Sequence, residues 1–203
     1  MPRGRGLSEP ISKTIVLEGS HVRLEPLTMK HLDGLCAVGL NPELWQLVPN
    51  PVRNREEMLE YVETALEEKR RGVSMPFVTR LATDGQVVGS TRFANVDLKN
   101  RHVEIGWTWI AMPWQRTAVN TEAKYMMLQY AFEVLGCLRV ELKTDALNER
   151  SRAAIKRIGA KEEGILRRHT LTASGRMRDT VYYSILDDEW PTVKSALQAK
   201  LAA

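Results

Sequence analysis

A short polar turn near the middle of the chain is the first stretch whose residues could bind a ligand. Gln115, Arg116 and Thr117 follow an apolar run at 103–111 and precede a helical pattern at 121–135. A strand, a tight turn and a helix in that order bring backbone N–H groups and the positive end of a helix dipole to one point. The pattern favours binding of a phosphate group at this turn, although an ordinary βα unit packed into a core has the same pattern.

The residues around this turn predict the elements that must position it. The run at 103–111 is β-branched and aromatic, as in a buried strand. Residues 121–135 repeat apolar side chains at helical spacing, and Gly136 follows as a stop signal. Residues 112–120 are predicted to be a polar connection that ends in Asn120 as the helix N-cap.

The rest of the chain mixes strand and helix patterns without an internal repeat. Adjacent strands interrupted by crossover helices predict an α+β fold with a mixed sheet. The other predicted strands are 21–27, 75–82, 86–94, 138–144, 161–172 and 177–186, and the other predicted helices are 29–40, 54–71, 148–158 and 191–203.

Length and composition indicate one soluble globular domain. The chain has 203 residues, a formal net charge of +4 and ordinary apolar and charged fractions. The mild positive charge suits an anionic ligand, but no run of Lys and Arg indicates a nucleic-acid surface. Residues 1–14 lack periodicity, so we expect a flexible tail there and a single domain at 15–203.

The cysteines and the hydropathy of the chain indicate where in the cell the protein is expected. Cys36 and Cys137 are the only cysteines and have no metal-binding spacing, so we expect buried free thiols, no metal and a cytoplasmic location. The N-terminus lacks the apolar segment of a secretory signal. No apolar run approaches the ~18 residues of a membrane span, so we expect no membrane association.

Three stretches carry a resemblance to a known family. They read VRLEPLTMKHLDGL at 22–35, VEIGW with the turn and NTEA at 103–123, and RVELKTDALNERSRAAIKRIGAKEEGILR at 139–167, with DTVYYSILDDEW at 179–190 behind the third. Together they resemble the GNAT superfamily of acyl-CoA-dependent N-acetyltransferases, in its RimJ/RimL-like branch. The resemblance covers about residues 16–190. It implies a GNAT-like three-layer fold: α+β, with a mixed, mostly antiparallel central sheet of about seven strands flanked by helices.

The resemblance also implies a reaction. Acetyl-CoA would be the co-substrate, and the acceptor would be a primary amine of a protein N-terminus, a polyamine or a small amine. One departure stands against it: the family's diphosphate loop usually carries two glycines, and Ala118 and Asn120 stand in their places. Because a backbone that approaches a diphosphate closely favours glycine, a second function stays open. The chain could be a GNAT-fold CoA-binding or regulatory protein with weak or no catalytic activity.

The resemblance assigns cofactor contacts residue by residue. Asn148 would bond the pantetheine arm, and Ser151 would donate to the CoA sulfur. Some family members use a Tyr for that donation, at the place where this chain has Ile155. Backbone groups of the strand end and the turn would hold the rest of the cofactor: Trp109, Ile110, Ala111, Gln115, Arg116, Thr117, Ala118, Val119, Asn120 and Thr121.

Attack by an amine needs a base, because only the neutral amine is nucleophilic. Glu104 is the first candidate, since family members often carry a Glu on this strand. The alternative for Glu104 is a structural carboxylate paired to Arg92 or Arg101. His102 shares a strand face with Glu104 and is the second candidate, because histidine side chains commonly act as bases near neutral pH. His169 is a further alternative.

Three tryptophans are candidate acceptor contacts. Trp107 and Trp109 are predicted to share one strand face, either as core residues or as an aromatic wall of the acceptor site. Trp45 lies in an irregular segment that borders the acceptor in the family. The last strand pair and the terminal helix could join two subunits in a homodimer.

Overall fold

The structure, a computed structural model, describes residues 15–202, so the predicted tail at 1–14 and the last residue lie outside the described residues. One mixed sheet runs through them in the order β1-β2-β3-β4-β5-β6-β8-β7. Its strands are β1 Leu17–Glu18, β2 Val22–Pro26, β3 Met75–Leu81, β4 Val87–Asp97, β5 His102–Ile110, β6 Arg139–Asp145, β7 Lys161–Leu171 and β8 Met177–Leu186. Its helices are α1 Leu32–Gly39, α2 Arg55–Arg70, α3 Ala118–Gln129, α4 Glu149–Arg157 and α5 Trp190–Ala202.

The predicted α+β architecture is confirmed. The described strands number eight rather than about seven, because the two-residue edge strand β1 is too short to leave an alternating pattern. Neighbouring strands are antiparallel except for β5 and β6, which are parallel. In residues 15–202, no helix is long and apolar enough to cross a membrane.

Two hydrophobic clusters make the fold three layers deep. The larger cluster joins α3 and α5 to the sheet, with Met127 and Leu197 among its buried members. The smaller cluster joins α1 and α2 to the sheet, with Leu35 and Val62 buried. We call the two sides of the sheet the α3/α5 face and the α1/α2 face.

The parallel strands β5 and β6 separate soon after they begin. They are paired only at His102, Val103 and Glu104 of β5, although β5 runs on to Ile110. The register of β4 against β5 shifts beside a bulge at Trp107, whose φ of 48° is left-handed. A bulge bends and twists its strand, so β5 turns away from β6. We call the resulting wedge-shaped opening the cleft.

The start of α3 corrects one prediction. The helix begins at Ala118 and not at residue 121, and its N-cap is Thr117, whose side chain accepts the Val119 N–H at 3.3 Å. Asn120 therefore lies inside the first turn instead of capping it. The prediction failed because Thr and Asn are both good caps, and the apolar periodicity does not choose between two starts three residues apart.

A buried carboxylate ties the N-terminal strands to α3. Glu122 accepts the backbone N–H groups of Ser20, His21 and Val22 at 2.7 to 2.8 Å. A Cβ on Gly19 would lie 2.4 Å from the Glu122 carboxyl group, so the chain needs glycine at this close approach. These bonds fix the position of α3 against β2, and with it the position of the turn before α3.

We expect Glu122→Ala to lower the free energy of unfolding by about 2 to 4 kcal/mol, because it leaves one buried and two part-buried N–H groups without an acceptor. Urea unfolding measures this loss. Glu63→Ala, which truncates an exposed glutamate of α2, is the matched control and should change stability by less than about 0.5 kcal/mol. Equal stability of the two variants would show that the three bonds add nothing.

Candidate active site

The N-terminus of α3 lies next to the open end of β5 and offers donors for an anion. The first four N–H groups of a helix have no intrahelical acceptor. Here Thr117 accepts one of them, that of Val119, which leaves the other N–H groups of the first turn for a ligand. Arg157 at the end of α4 reaches the same turn, since its Nη2 donates to Thr121 Oγ1 at 2.7 Å. Backbone donors, a helix dipole and a guanidinium thus meet where a diphosphate would bind.

The absence of the usual glycines does not disturb this turn. Ala118 and Asn120 both lie within α3, where every L-residue has an allowed conformation. The left-handed residue of the turn is Arg116, with a φ of 63°. Gln115 holds the turn against the end of β5, because its Nε2 donates to the Ile110 carbonyl at 2.8 Å. The turn keeps its amides without either glycine.

The strand end offers fewer backbone donors than the sequence predicts. The Ala111 N–H already donates to the Val88 carbonyl at 2.8 Å. Successive residues of a strand direct their N–H groups to opposite sides, so Trp109 also faces β4 and only Ile110 faces the cleft. In this structure the Ala111 N–H is bonded to the strand β4 end at Val88, and the contact of Ala111 with the cofactor stays a prediction.

Asn148 caps the short helix α4. Asn148 Oδ1 accepts the Ser151 N–H at 2.9 Å. Within the described part of the chain, neither the Asn148 side-chain amide nitrogen nor the Ser151 hydroxyl has a protein hydrogen bond. Ile155 is 8% exposed and belongs to the core. Asn148 and Ser151 therefore keep free polar groups at the end of β6.

Glu104 is buried at the point where β5 and β6 separate. It is 3% exposed, and its Oε2 lies 2.8 Å from Lys143 Nζ and 2.6 Å from Asn95 Nδ2. The predicted alternative partners are wrong: Arg92 pairs with Glu68, and Arg101 bonds the Gly136 carbonyl. Lys143 approaches because it is the next residue of β6 on the same face after Glu141, which pairs with Glu104 in register.

Aromatic rings surround this ion pair on the α1/α2 face. Trp107 lies 5.0 Å from the Arg92 guanidinium and 6.0 Å from Lys143 Nζ. The Arg92 guanidinium also lies 5.1 Å from the centre of the Tyr61 ring, and the Tyr182 ring lies 5.8 Å from Lys143 Nζ. At such distances the ring faces attract the cations. The site thus consists of the buried Glu104–Lys143 ion pair with aromatic rings beside it.

The two predicted aromatic residues of β5 differ in environment. Trp107 is 43% exposed, because the bulge places it at the cleft, whereas Trp109 is 7% exposed in the smaller core cluster. Trp45 is also a core residue, at 6% exposure, with its ring against Trp109 and its Nε1 donating to the Gly39 carbonyl at 2.7 Å. Of the three tryptophans, only Trp107 has a surface that a substrate can touch.

Neither candidate histidine contacts Glu104. His102 sits between carboxylates, with Nε2 3.4 Å from Asp97 and Nδ1 4.0 Å from Glu141. His169 bonds the Thr180 hydroxyl at 3.1 Å on the outer strands. The structure therefore brings Glu104 and Trp107 together and leaves both histidines outside this group.

A lysine that the sequence does not single out lies under the cleft on the α3/α5 face. Lys124 of α3 is 5% exposed, and its Nζ lies 2.6 Å from Thr108 Oγ1 and 3.5 Å from Thr91 Oγ1. Burial lowers the pKa of its amine to about 7, while the charge of Glu104 acts in the opposite direction. A helical pattern shows such a lysine as one polar position among apolar ones, and nothing in the pattern reveals its burial.

Cys137 is buried and Cys36 is partly buried, and both are free thiols, as predicted. Among residues 15–202, no three His, Cys, Asp or Glu side chains are placed to hold a metal ion together.

Comparison with known proteins identifies the family. The family described as acetyltransferase (GNAT) domain matches residues 21–161. A putative ribosomal N-acetyltransferase of Bacillus subtilis, YdaF, is 41% identical over 110 residues, which are 54% of this chain and 59% of YdaF. The chain thus aligns with less than two thirds of that relative's length.

Solved structures extend the similarity to almost the whole chain. A GCN5-related N-acetyltransferase from Brucella melitensis has a TM-score of 0.85 and 34% identity, and the match covers 93% of this chain and 86% of that one. RimJ of Mycobacterium smegmatis, solved in complex with CoA-disulfide, has a TM-score of 0.76 and 26% identity over 92% of both chains. These relatives agree with the predicted RimJ/RimL-like branch. Acetyl transfer from acetyl-CoA is the general reaction of such proteins, and this chain belongs to the GNAT acetyltransferase family.

Proposed function

We propose that this protein is an acetyl-CoA-dependent N-acetyltransferase that acetylates the α-amino group of a protein. The observation that carries the proposal is the cleft, with anion donors of α3 at one end and the buried Glu104–Lys143 pair at the other. The similarity to YdaF, whose printed name indicates a ribosomal N-acetyltransferase, favours a protein acceptor over a polyamine or a small amine. A cytoplasmic location and a homodimer through β7, β8 and α5 stay predictions.

The chain's own residues fit the cofactor. The first-turn amides of α3, with Arg116 and Arg157, would hold the diphosphate, and the Ile110 N–H would bond the arm that enters the cleft. Asn148 and Ser151 supply free polar groups at the opposite wall. Acetyl-CoA supplies an activated thioester. The second function, a CoA-binding protein without catalysis, is not favoured, because the family and the relatives that match this chain are named acetyltransferases.

The acceptor would approach from the α1/α2 face in a ternary complex, where its amine attacks directly. An α-amino group has a pKa of about 7.7 to 8.0, against about 10.4 for a lysine side chain. A larger fraction of the α-amino group is therefore already neutral, and able to attack, at neutral pH. Glu104 is the carboxylate nearest the separation of the strands and is our candidate base, directly or through water. Ser151 would give a proton to the departing sulfur.

Acetyl-CoA binding followed by a thiol-release assay tests the proposal. We expect acetyl-CoA to raise the thermal midpoint of the protein and to release thiol in the presence of peptides with free N-termini. Peptides with blocked N-termini are the matched control. Binding without thiol release from any amine would support the non-catalytic alternative, and no binding would remove both functions.

We expect Asn148→Ala and Ser151→Ala to lower turnover by about 10- to 100-fold, because each removes one polar contact to the reacting arm. Loss of the Asn148 cap also costs about 1 kcal/mol of stability. Asn148→Asp, which keeps an acceptor for the Ser151 N–H, separates capping from turnover. Wild-type turnover in both alanine variants would remove these residues from the mechanism.

A further inference from the structure

We propose that Arg178 binds a carboxylate of the acceptor, so that the preferred substrates carry an anionic group near the amine that is acetylated. The inference rests on the proposed function and adds a chemical class to its substrate. It comes from an arginine on β8 to which sequence patterns assign no role.

Arg178 lies on the α1/α2 face, just past the end of β6. The last residue of β6, Asp145, pairs with Thr180, two residues further along β8. Alternate residues of a strand share a face, so Arg178 lies on the side of Tyr182, whose ring contacts Lys143. Arg178 thus borders the group of residues around Glu104.

Arg178 is buried without a partner. It is 8% exposed, its Nε is buried without a hydrogen bond, and within residues 15–202 its guanidinium has no ion pair. Arginine cannot become neutral in a protein, and a buried charge without a counterion is strongly unfavourable. Such a side chain is accounted for if a ligand supplies the missing anion.

The nearby carboxylates are already engaged. Asp145 bonds Arg176 and the Leu147 N–H, and Glu104 bonds Lys143 and Asn95. Both carboxylates act on Arg178 only through space. Burial lowers the pKa of Arg178 first of all. The charge of Asp145 opposes this effect, and the charge of Arg176 adds to it. The local excess of positive charge complements an anion.

The ligand chemistry follows from the guanidinium and from its place. The planar fork of an arginine matches the two oxygens of a carboxylate. The cofactor's diphosphate would lie at the N-terminus of α3, a helix that packs on the other face of the sheet. The β7–β8 turn joins the loop after α1 on the face of Arg178, where the Ala173 N–H donates to the Pro49 carbonyl at 2.9 Å. A carboxylate near Arg178 therefore belongs to the acceptor.

Calorimetric binding to the CoA-saturated protein tests the inference without relying on turnover. The probes are the tripeptide amides Ala-Asp-Ala and Ala-Ala-Asp, each with its asparagine counterpart. We expect the better aspartyl peptide to bind about 10- to 100-fold more tightly than its counterpart, and Arg178→Met to abolish that difference. Arg167→Met removes the same charge from an exposed position on the neighbouring strand β7 and should keep the preference.

Kinetics then separate this inference from the proposed function. In active protein, Arg178→Met should raise the KM for the aspartyl peptide without changing the KM for acetyl-CoA or the turnover of the asparaginyl peptide. The thermal midpoint of Arg178→Met should equal or exceed that of the wild type, because an unpaired buried charge is lost. The inference would be overturned if the wild type bound the aspartyl and asparaginyl peptides equally, or if Arg178→Met raised only the KM for acetyl-CoA. Thiol release from neutral and aspartyl peptides alike would leave the proposed function standing.

Discussion

Lys124→Met should abolish a pH-dependent part of the stability that amounts to several kcal/mol. The Lys124 amine has a pKa of about 7 in the folded protein and an ordinary value of 10.5. The unfolded chain therefore binds a proton more strongly than the folded chain does. The linkage between protonation and folding makes stability rise with pH wherever the unfolded state holds more protons.

The pKa difference defines both the window and the size of this effect. Below pH 7 the amine is charged in both states, and the cost of burying the charge is fully present. Between about pH 7 and 10.5 the folded protein holds a neutral amine, and the cost disappears as the unfolded state also loses its proton. At 1.36 kcal/mol for each unit of pKa, the change across the window is on the order of 5 kcal/mol.

The contacts of Lys124 explain why methionine is a suitable replacement. Methionine fills a similar volume without a charge, and the Thr91 and Thr108 hydroxyls remain bonded to each other at 2.7 Å. We expect Lys124→Met to be more stable than the wild type at pH 6, with the advantage shrinking towards pH 10. Urea unfolding at several pH values gives the difference curve.

Lys99→Met, which removes an exposed lysine from the β4–β5 connection, is the control for loss of a positive charge. If the stabilities of the wild type and Lys124→Met change in parallel across pH 6 to 10, burial does not lower the pKa of the Lys124 amine in the folded protein.

The elements of the fold are largely readable from the sequence, because each leaves a local signal. Asn54 caps α2 by accepting the Glu57 N–H, as the spacing of the two residues predicts. Gly159 follows α4 with a left-handed φ of 97°, as is typical of a glycine that ends a helix. The Asp-Gly pair between β3 and β4 is typical of a tight turn, and there Asp84 accepts the Gln86 N–H. In each case residues less than five apart determine the conformation.

The site is only partly readable, since its contacts join distant parts of the chain. Asn148 and Ser151 lie in a contiguous motif to which the resemblance assigns cofactor contacts, and those contacts stay predictions. The partner of Glu104 was not, because Lys143 reaches it through the register of β6 against β5. Arg178 and Lys124 carry no signal either, because lysine and arginine are mostly exposed and a sequence does not reveal an exception.

The bulge at Trp107 shows the limit of strand patterns most clearly. Strict alternation puts Trp107 and Trp109 on one face in equal environments. One left-handed residue breaks the alternation and leaves Trp107 exposed beside Arg92 and Lys143, while Trp109 enters the core. The same bulge accompanies the separation of β5 from β6. The feature that creates the cleft is thus the one that a period-two pattern cannot express.

Glu104→Gln should lower kcat near neutral pH by about 100- to 1,000-fold if Glu104 takes the proton of the attacking amine. Without the carboxylate, no side chain takes the proton in the transition state, which slows the reaction at every pH. In addition, only acceptor that is already neutral can react. At saturating acceptor, the kcat of the variant should then rise about tenfold for each pH unit until the pKa of the amine, about 7.7 to 8.0 for an α-amino group. The wild type should reach its plateau at lower pH. Steady-state thiol release across pH 6 to 9.5 distinguishes the two profiles.

The ion pair of Glu104 with Lys143 allows a stricter test of the same prediction. If Glu104 only neutralises the Lys143 ammonium at 2.8 Å, Glu104→Gln harms the enzyme by leaving an unpaired charge, and adding Lys143→Met should restore the rate. If Glu104 is the base, the double variant stays as slow as Glu104→Gln, and its profile keeps the same slope. A double-mutant cycle in kcat separates these cases, because the coupling is large for a structural pair and small for a base. We expect the slow double variant, since the aromatic walls of Trp107 and Tyr182 continue to stabilise the Lys143 ammonium when Glu104 loses its charge.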